Sequence, residues 1–517
     1  MNVGQAAQAG TEIHAGVCET HAATVLFIAE RAYKLKKPVN LGFLDFSALH
    51  MRERACRRET ELNRRFAPDV YLGVAEVRDP ADQICDYLVV MRRMPLDRRL
   101  SALIQAGASV ADPLRAVARL LAAQHASADR SPEIARQGGR DAMRDRWAAN
   151  LTQIREVGNE VLERRVIDDI ERLASKFLTA REPMFGKRIS DGRIVDGHGD
   201  LLADDIFCLG DGPRVLDCLE FDDRLRWVDG LDDASFLAMD LERLGAPRLA
   251  ERFTRWYIEF SADPAPTSLR HHYVAYRALV RAKVACVRVT QGEPAYTAES
   301  RQLAEMTLRH LQAGAVALTI IGGLPGTGKS ALAGELADRL GFVVLNSDRI
   351  RKELAGIPPE EHRRAPYETG IYSHTWTERT YNEMLARAGR LLRLGESVIL
   401  DASWTSPAHR AAAAAAAEAS AADLVQLRCM AAEEVAAKRL AARTGGVSDA
   451  DQPIAALMAS RLQAWPDAIA VDTGRDGGQL MAGTGCSGSA VRQALEAIRP
   501  YGPEHTWRPL RPYMLPD

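Results

Sequence analysis

Gly323-Leu324-Pro325-Gly326-Thr327-Gly328-Lys329-Ser330 follows the apolar run Leu318-Thr319-Ile320-Ile321 and satisfies G-x-x-x-x-G-K-[ST] at every position. A strand that delivers glycines to the start of a helix builds a phosphate cradle. The glycines let consecutive backbone N–H groups point into one concavity, and the helix opening at Lys329 adds the positive end of its dipole. Lys329 then reaches the β- and γ-phosphates, and Ser330 offers its hydroxyl to Mg²⁺. A nucleoside triphosphate site lined by Gly323, Gly326, Thr327, Gly328, Lys329 and Ser330 is the first expectation.

Toward the C-terminus the pattern alternates. The strand Phe342-Val343-Val344-Leu345 ends at Asn346-Ser347-Asp348, helices run to about Arg393, and the strand Ser397 to Asp401 follows. An Ala-rich helix, Ala408 to Ala422, leads to the strand Leu424 to Cys429. Such alternation predicts a parallel sheet with helices on both faces, its ligands held at the C-terminal ends of the strands. Asp348 then falls where an acceptor hydroxyl sits, and Asp401 where an acid holds Mg²⁺ through its water shell. On the helix Glu433 to Arg443, Arg439 and Arg443 are four apart and point one way; they fit two solvated cations, and they also resemble the lid arginines that close on transferring phosphates in P-loop kinases. Gly474 to Gly488 reads as a glycine-rich loop before a helix near Ala490 to Ile498.

Toward the N-terminus a helix from Ser300 to Gln312 is capped by Gly314, and no Gly/Ser- or Pro-rich linker marks the join. The domain boundary is therefore expected at 312/313, with the two parts docked and their relative motion restricted. Farther back, Thr24 to Ile28 and Arg31 to Lys37 read as a hairpin, with Lys34 and Lys36 on one face. A helix from about Ser47, its expected N-cap, to Phe66 carries Glu59 on one side with Cys56, Leu62 and Asn63. Two strands follow, Tyr71 to Val77 and Tyr87 to Met94, then a polar break and a mostly helical segment. The helical run is interrupted by Val195 to Phe207, a turn at Gly210-Asp211-Gly212-Pro213, and a return from Arg214 to Phe221. This hairpin is flanked by Asp200, Asp205 and Asp217, which suits phosphoryl transfer: one carboxylate orients the acceptor hydroxyl while others supply oxygen to Mg²⁺. Asp222, Asp223, Arg226 and Asp229 fit either an acceptor pocket or a solvated loop, and His271-His272 sits in a helical pattern that suits packing.

At these residues the chain resembles the aminoglycoside phosphotransferase-like branch of the protein-kinase superfold, over roughly residues 20–300. His198-Gly199-Asp200 is similar to its catalytic-loop motif, which implies Asp200 as the base and Asp217 as the metal-binding Asp. Lys34 resembles the strand lysine that holds the α- and β-phosphates, and Glu59 the helix acid that pairs with it. The family places Asn five residues after the catalytic Asp as second metal ligand, whereas this chain has Asp205. Ser347-Asp348-Arg349-Ile350-Arg351 resembles the segment after the second strand in gluconate-kinase-like and zeta-toxin-like P-loop kinases, where the Asp orients the acceptor and an Arg binds an anionic group. The two resemblances imply a bilobal kinase-like domain, small lobe about 20–95 and helical lobe about 100–312, followed by a P-loop kinase domain over 313–517. They imply ATP and Mg²⁺ at both and small hydroxylated acceptors.

Composition bounds the alternatives. A net charge of −2 over 517 residues argues against a whole-surface grip on nucleic acid or anionic membrane. Eight cysteines without C-x-x-C or zinc spacing read as reduced, packed thiols, and neither a signal pattern nor an apolar run of membrane-spanning length is present, so a cytoplasmic location is expected. Two other readings remain open here: a first half reduced to a binding module, and a kinase of nucleic-acid ends or nucleotide sugars.

Overall fold

The computed structural model describes residues 15–19, 23–40, 45–158, 161–358, 361, 369–442, 452–474 and 488–498. The chain forms two compact units, one of residues 1–138 with 188–263, the other of 139–187 with 264–517.

In the first unit five strands, β1 (Ala15–Glu19), β2 (Ala23–Ile28), β3 (Arg31–Lys36), β4 (Tyr71–Arg78) and β5 (Ile84–Arg92), form an antiparallel sheet in the order β1-β2-β3-β5-β4. The expected hairpin is β2–β3, paired from Ala23↔Lys36 to Ile28↔Arg31. Helix Leu49–Asn63 packs on this sheet because Arg52, Cys56, Glu59, Leu62 and Asn63 recur on one face and are buried there. Cys56, Val70, Tyr71, Val89 and Met91 belong to the shared core. Ser47 is not the N-cap. Ala48 holds that position with no side-chain bond, and the Ser47 hydroxyl and N–H both donate to Asp45 Oδ1, at 2.6 and 2.9 Å.

Two short antiparallel pairs follow the helical segment: β6 (Ile194–Asp196) with β9 (Trp227–Asp229), and β7 (Ile206–Leu209) with β8 (Gly212–Val215). The β7–β8 pair is the expected hairpin. Behind it lies helix Gly230–Arg243, buried at every residue from Gly230 to Leu241 and capped by Asp229, whose carboxylate accepts the Leu231 N–H.

In the second unit β10 (Ala317–Gly322), β11 (Val343–Asn346), β12 (Val398–Asp401), β13 (Asp423–Met430) and β14 (Ile469–Asp472) form a wholly parallel sheet, ordered β11-β12-β10-β13-β14. Every residue of β10 is buried, as a central parallel strand covered on both faces requires. The helix after the P-loop, Lys329–Leu340, stops at Gly341, whose φ of 70° is a left-handed cap. Helices Arg140–Val157, Arg164–Thr179, Thr267–Thr290 and Tyr296–Ala313 belong to this same unit. Arg181, fully buried, donates from Nη1 to the Ser420 carbonyl at 2.8 Å, and Ser268 Oγ donates to the Gly395 carbonyl at 2.7 Å. His272 is packed: Trp147 Nε1–H donates to its Nε2 at 3.1 Å, Phe177 stacks on it at 4.2 Å, and burial pushes its pKa down to about 3. No described helix is long and apolar enough to cross a membrane.

Candidate active sites

The P-loop follows β10 and owes its shape to three glycines with positive φ, Gly323 (137°), Gly326 (82°) and Gly328 (82°). A Cβ on Gly326 would lie 2.6 Å from the Ala436 carbonyl oxygen, and one on Gly323 2.6 Å from that of Cys429, so space as well as φ demands glycine. Lys329 Nζ donates to the Leu324 carbonyl at 2.9 Å across the loop. Ser330 Oγ donates to Asp401 Oδ2 at 2.6 Å, and Asn346 Nδ2 donates to the same oxygen at 2.7 Å. Asn346 and Asp401 are register partners at the ends of β11 and β12, so the sheet itself sets this contact. Thr473, just past β14, donates to the Thr327 carbonyl at 2.5 Å, and Arg439 Nη2 donates to the Thr473 carbonyl at 2.8 Å. Arg443 lies outside the described residues.

Lys329, Ser330, Asp348, Asp401 and Arg439 all line one cavity of about 820 Å³. Arg351, one turn after Asp348 and 6% exposed, lines it too. Its Nη1 donates to the Ile371 carbonyl and Thr377 Oγ1, whereas Nε has no hydrogen-bond partner among the described residues. The guanidinium thus keeps one N–H donor unspent.

In the first unit Lys34 joins two acids, donating to Glu59 Oε1 at 2.9 Å and Asp217 Oδ1 at 2.7 Å. Lys36 lies 2.6 Å from Glu59 Oε2 and donates to Glu220 Oε1 at 2.5 Å. Both lysines therefore hold Glu59, but only Lys34 bridges to Asp217. Burial works against the Lys34 charge, yet Asp217 and Glu59 outweigh it and raise its pKa. Lys34 in turn holds Asp217 down at about 2. Because the folded pKa is depressed, the pair contributes stability above the ordinary carboxylate range and loses it as pH falls from about 4 to about 2. Asp217 is half exposed (51%), so the contribution is that of a screened pair, under about 1 kcal/mol. Melting scans from about pH 5 to pH 2 are expected to fall less steeply for Lys34→Met than for the wild type.

Asp217 sits at a φ of 63°, a strained value for a side-chain-bearing residue. Its N–H donates to Tyr71 Oη at 3.2 Å and the next N–H, of Cys218, to Asn63 Oδ1 at 2.8 Å. Across the hairpin, Asp205 has its pKa raised well above the usual value, by burial first and then by the charges of Asp217, Asp200 and Asp204. His198 is fully buried and its Nε2 meets the Leu216 carbonyl at 3.0 Å.

Sequence reasoning missed what holds this loop. Asp233 accepts the His198 N–H on Oδ2 and the Gly199 N–H on Oδ1, both at 2.8 Å, and meets His125 Nε2 at 3.0 Å. Asp240 accepts the Ala203 N–H at 2.9 Å. The available signal was three acids, Asp232, Asp233 and Asp240, in the largely apolar stretch from Gly230 to Leu241, since buried carboxylates are kept only for fixed donors.

A cavity of about 640 Å³ lined by Asp45, Arg58, Glu220, Asp222, Asp223 and Trp227 flanks helix Leu49–Asn63. Asp222 and Asp223 line it, but Arg226 and Asp229 do not: Arg226 is fully buried against Asp196 and Asp223, and Asp229 takes both Nε and Nη2 of Arg188.

Among the described residues no three His, Cys, Asp or Glu side chains form a metal cage. Mg²⁺ that travels with a nucleotide needs only one or two carboxylates beside the phosphates and its waters. Asp401 with Ser330, and the crowded Asp205 and Asp217, fit that donor set.

An AAA domain family model matches residues 318–464. With the cradle, its lysine and the strand-end acid assembled, this region is a P-loop domain built to hold a nucleoside triphosphate. The chain belongs to the family of the proteins called "Uncharacterized protein Rv2004c" of Mycobacterium tuberculosis (strain ATCC 25618 / H37Rv) and "Uncharacterized protein Mb2027c" of Mycobacterium bovis, each 44% identical over 457 residues, 88% of this chain and 92% of the relative. Among solved structures, it is similar to a choline/ethanolamine kinase family protein from Mesorhizobium loti (16% identity, 58% of this chain and 92% of that one, TM-score 0.38). It is also similar to a gluconokinase from Sinorhizobium meliloti 1021 (21% identity, 35% and 91%, TM-score 0.23).

Proposed function

We propose that the chain is a bifunctional phosphotransferase with two ATP–Mg²⁺ sites, each handing a γ-phosphoryl group to a hydroxyl of a small molecule, and that the functional boundary falls at 312/313. The observation that carries this reading is the separate Lys34–Glu59–Asp217 chain beside the Asp200 hairpin, in addition to the P-loop. A module that only binds has no use for a lysine bridging two acids at a strained backbone position. In the N-terminal site Asp200 orients the acceptor and takes its proton, Lys34 steadies the α- and β-phosphates, and Asp205 and Asp217 hold the metal. In the P-loop site Asp348 orients the hydroxyl, Ser330 and Asp401 hold the metal, and Lys329 with Arg439 and Arg443 meets the transferring charge. Arg351 receives an anionic group of the second acceptor. The metal neutralises phosphate charge; positioning is left to the side chains.

Titration calorimetry with Mg²⁺–ADP tests the count: two nucleotides per chain are expected, and one after Lys329→Ala. A single site in the wild type sinks the bifunctional reading and leaves the N-terminal part as a binding or regulatory module.

A further inference from the structure

Part of the wall of the P-loop cavity is built from residues with no role so far. Between the end of β12 and helix Pro407–Ala419 the chain turns through Trp404, which is fully buried with a φ of 53°. A bulky side chain at positive φ persists only where its surroundings over-determine it. Here the Trp404 N–H donates to Tyr381 Oη at 3.3 Å, its indole N–H to the Leu400 carbonyl at 3.2 Å, and its own carbonyl accepts from Arg410 Nη1 at 3.1 Å. The turn presents Ser403, Thr405 and Ser406, and the start of the helix His409, to the cavity that holds Lys329 and Asp348.

His409 is fixed twice over. Its ring stacks on Tyr381 with centroids 3.9 Å apart and planes 11° from parallel, and its Nε2 meets Glu378 Oε1 at 2.8 Å. An ionised carboxylate only accepts, so Nε2 carries the hydrogen and, in the neutral ring, the lone pair is left on Nδ1. Nδ1 makes no hydrogen bond among the described residues, although the side chain is only 13% exposed.

We propose that His409 is a specificity-determining residue of the P-loop site: Nδ1 accepts a hydrogen bond from a second hydroxyl of a small polyhydroxylated acceptor, alongside the hydroxyl that Asp348 orients. Glu378 is its positioning residue, because it sets the tautomer. The inference rests on the proposed transfer at the P-loop. A group that merely filled space would be a poor candidate for a carboxylate clamp on one nitrogen and an open lone pair on the other.

The test uses the full chain with pentitols, hexitols, aldonic acids and their monodeoxy counterparts as probes, reading ADP release at saturating Mg²⁺–ATP. With a stimulating polyol, His409→Ala is expected to raise KM roughly tenfold while kcat stays within about threefold, the loss of one hydrogen bond to bound substrate. The preference for that polyol over the deoxy analogue should collapse in His409→Ala and recover in His409→Asn, whose amide oxygen also accepts. The asparagine variant, with melting curves, separates recognition from misfolding. Unchanged KM and preference in His409→Ala, a fall in kcat alone, or an ADP release that Lys329→Ala abolishes but that no probe stimulates would each overturn the inference. ADP release that is indifferent to Lys329→Ala would instead overturn the underlying transfer reading.

Discussion

Alanine in place of Lys329 is expected to lower phosphoryl transfer at the P-loop by roughly 10²–10³, the cost of removing one preorganised charge from a developing anion. The folded state has little to lose by the change. Nζ makes a 2.9 Å bond to the Leu324 carbonyl, and a bond of that kind is worth about 1 kcal/mol. The loop is shaped instead by its glycines and by the Thr473 hydroxyl on the Thr327 carbonyl. Arg351 and Arg439 line the same cavity but are held elsewhere, Arg351 by Ile371 and Thr377 and Arg439 by Thr473. Neither can move into the place of the Lys329 ammonium without breaking those bonds. Single-turnover transfer from γ-labelled ATP, with a melting curve as control, checks the expectation. A Lys329→Ala protein that melts like the wild type and transfers at the wild-type rate contradicts it.

How far the site was legible in the sequence follows from the range of the forces that make it. The P-loop was readable because its requirements are local: positive φ at Gly326 and Gly328, an apolar strand before, a helix after. Asp401 was readable as an acid closing a buried strand. Asn346 was not assigned a role, because its bond to Asp401 depends on β11 lying beside β12, a neighbour relation that the order of elements does not state. Thr473 and Asp233 escaped for the same reason, being contacts over 146 and 35 positions of chain. Period-2 alternation put Lys34 and Lys36 on one face, but could not separate them. The distinction comes from Asp217 meeting one and Glu220 the other. The Ser47 cap failed locally: the helix begins one position later, with Ala48 as N-cap, and Ser47 is bonded to Asp45 through both its hydroxyl and its N–H. Arg226 and Asp229 were misplaced because charge patterns do not reveal which ions are buried together.

Asp200→Asn carries the largest consequence for the two-site reading. The change keeps the side chain's shape and removes its ability to take a proton, so transfer from the N-terminal site is expected to fall by roughly 10²–10⁴. The backbone before it is pinned independently, with the His198 and Gly199 N–H groups on Asp233 and Gly199 at a φ of 86°, so the loop should keep its geometry. The measurement belongs in a Lys329→Ala background, where P-loop turnover is already suppressed and residual transfer reports Asp200 alone. Loss of that residual transfer, with Mg²⁺–ADP still bound, places chemistry at the hairpin. If instead Lys329→Ala ends every detectable transfer and Asp200→Asn alone changes none, the Lys34–Glu59–Asp217 chain serves binding only. The crowding of Asp205 against Asp200, Asp204 and Asp217 then has to be explained by a ligand that brings positive charge without reacting.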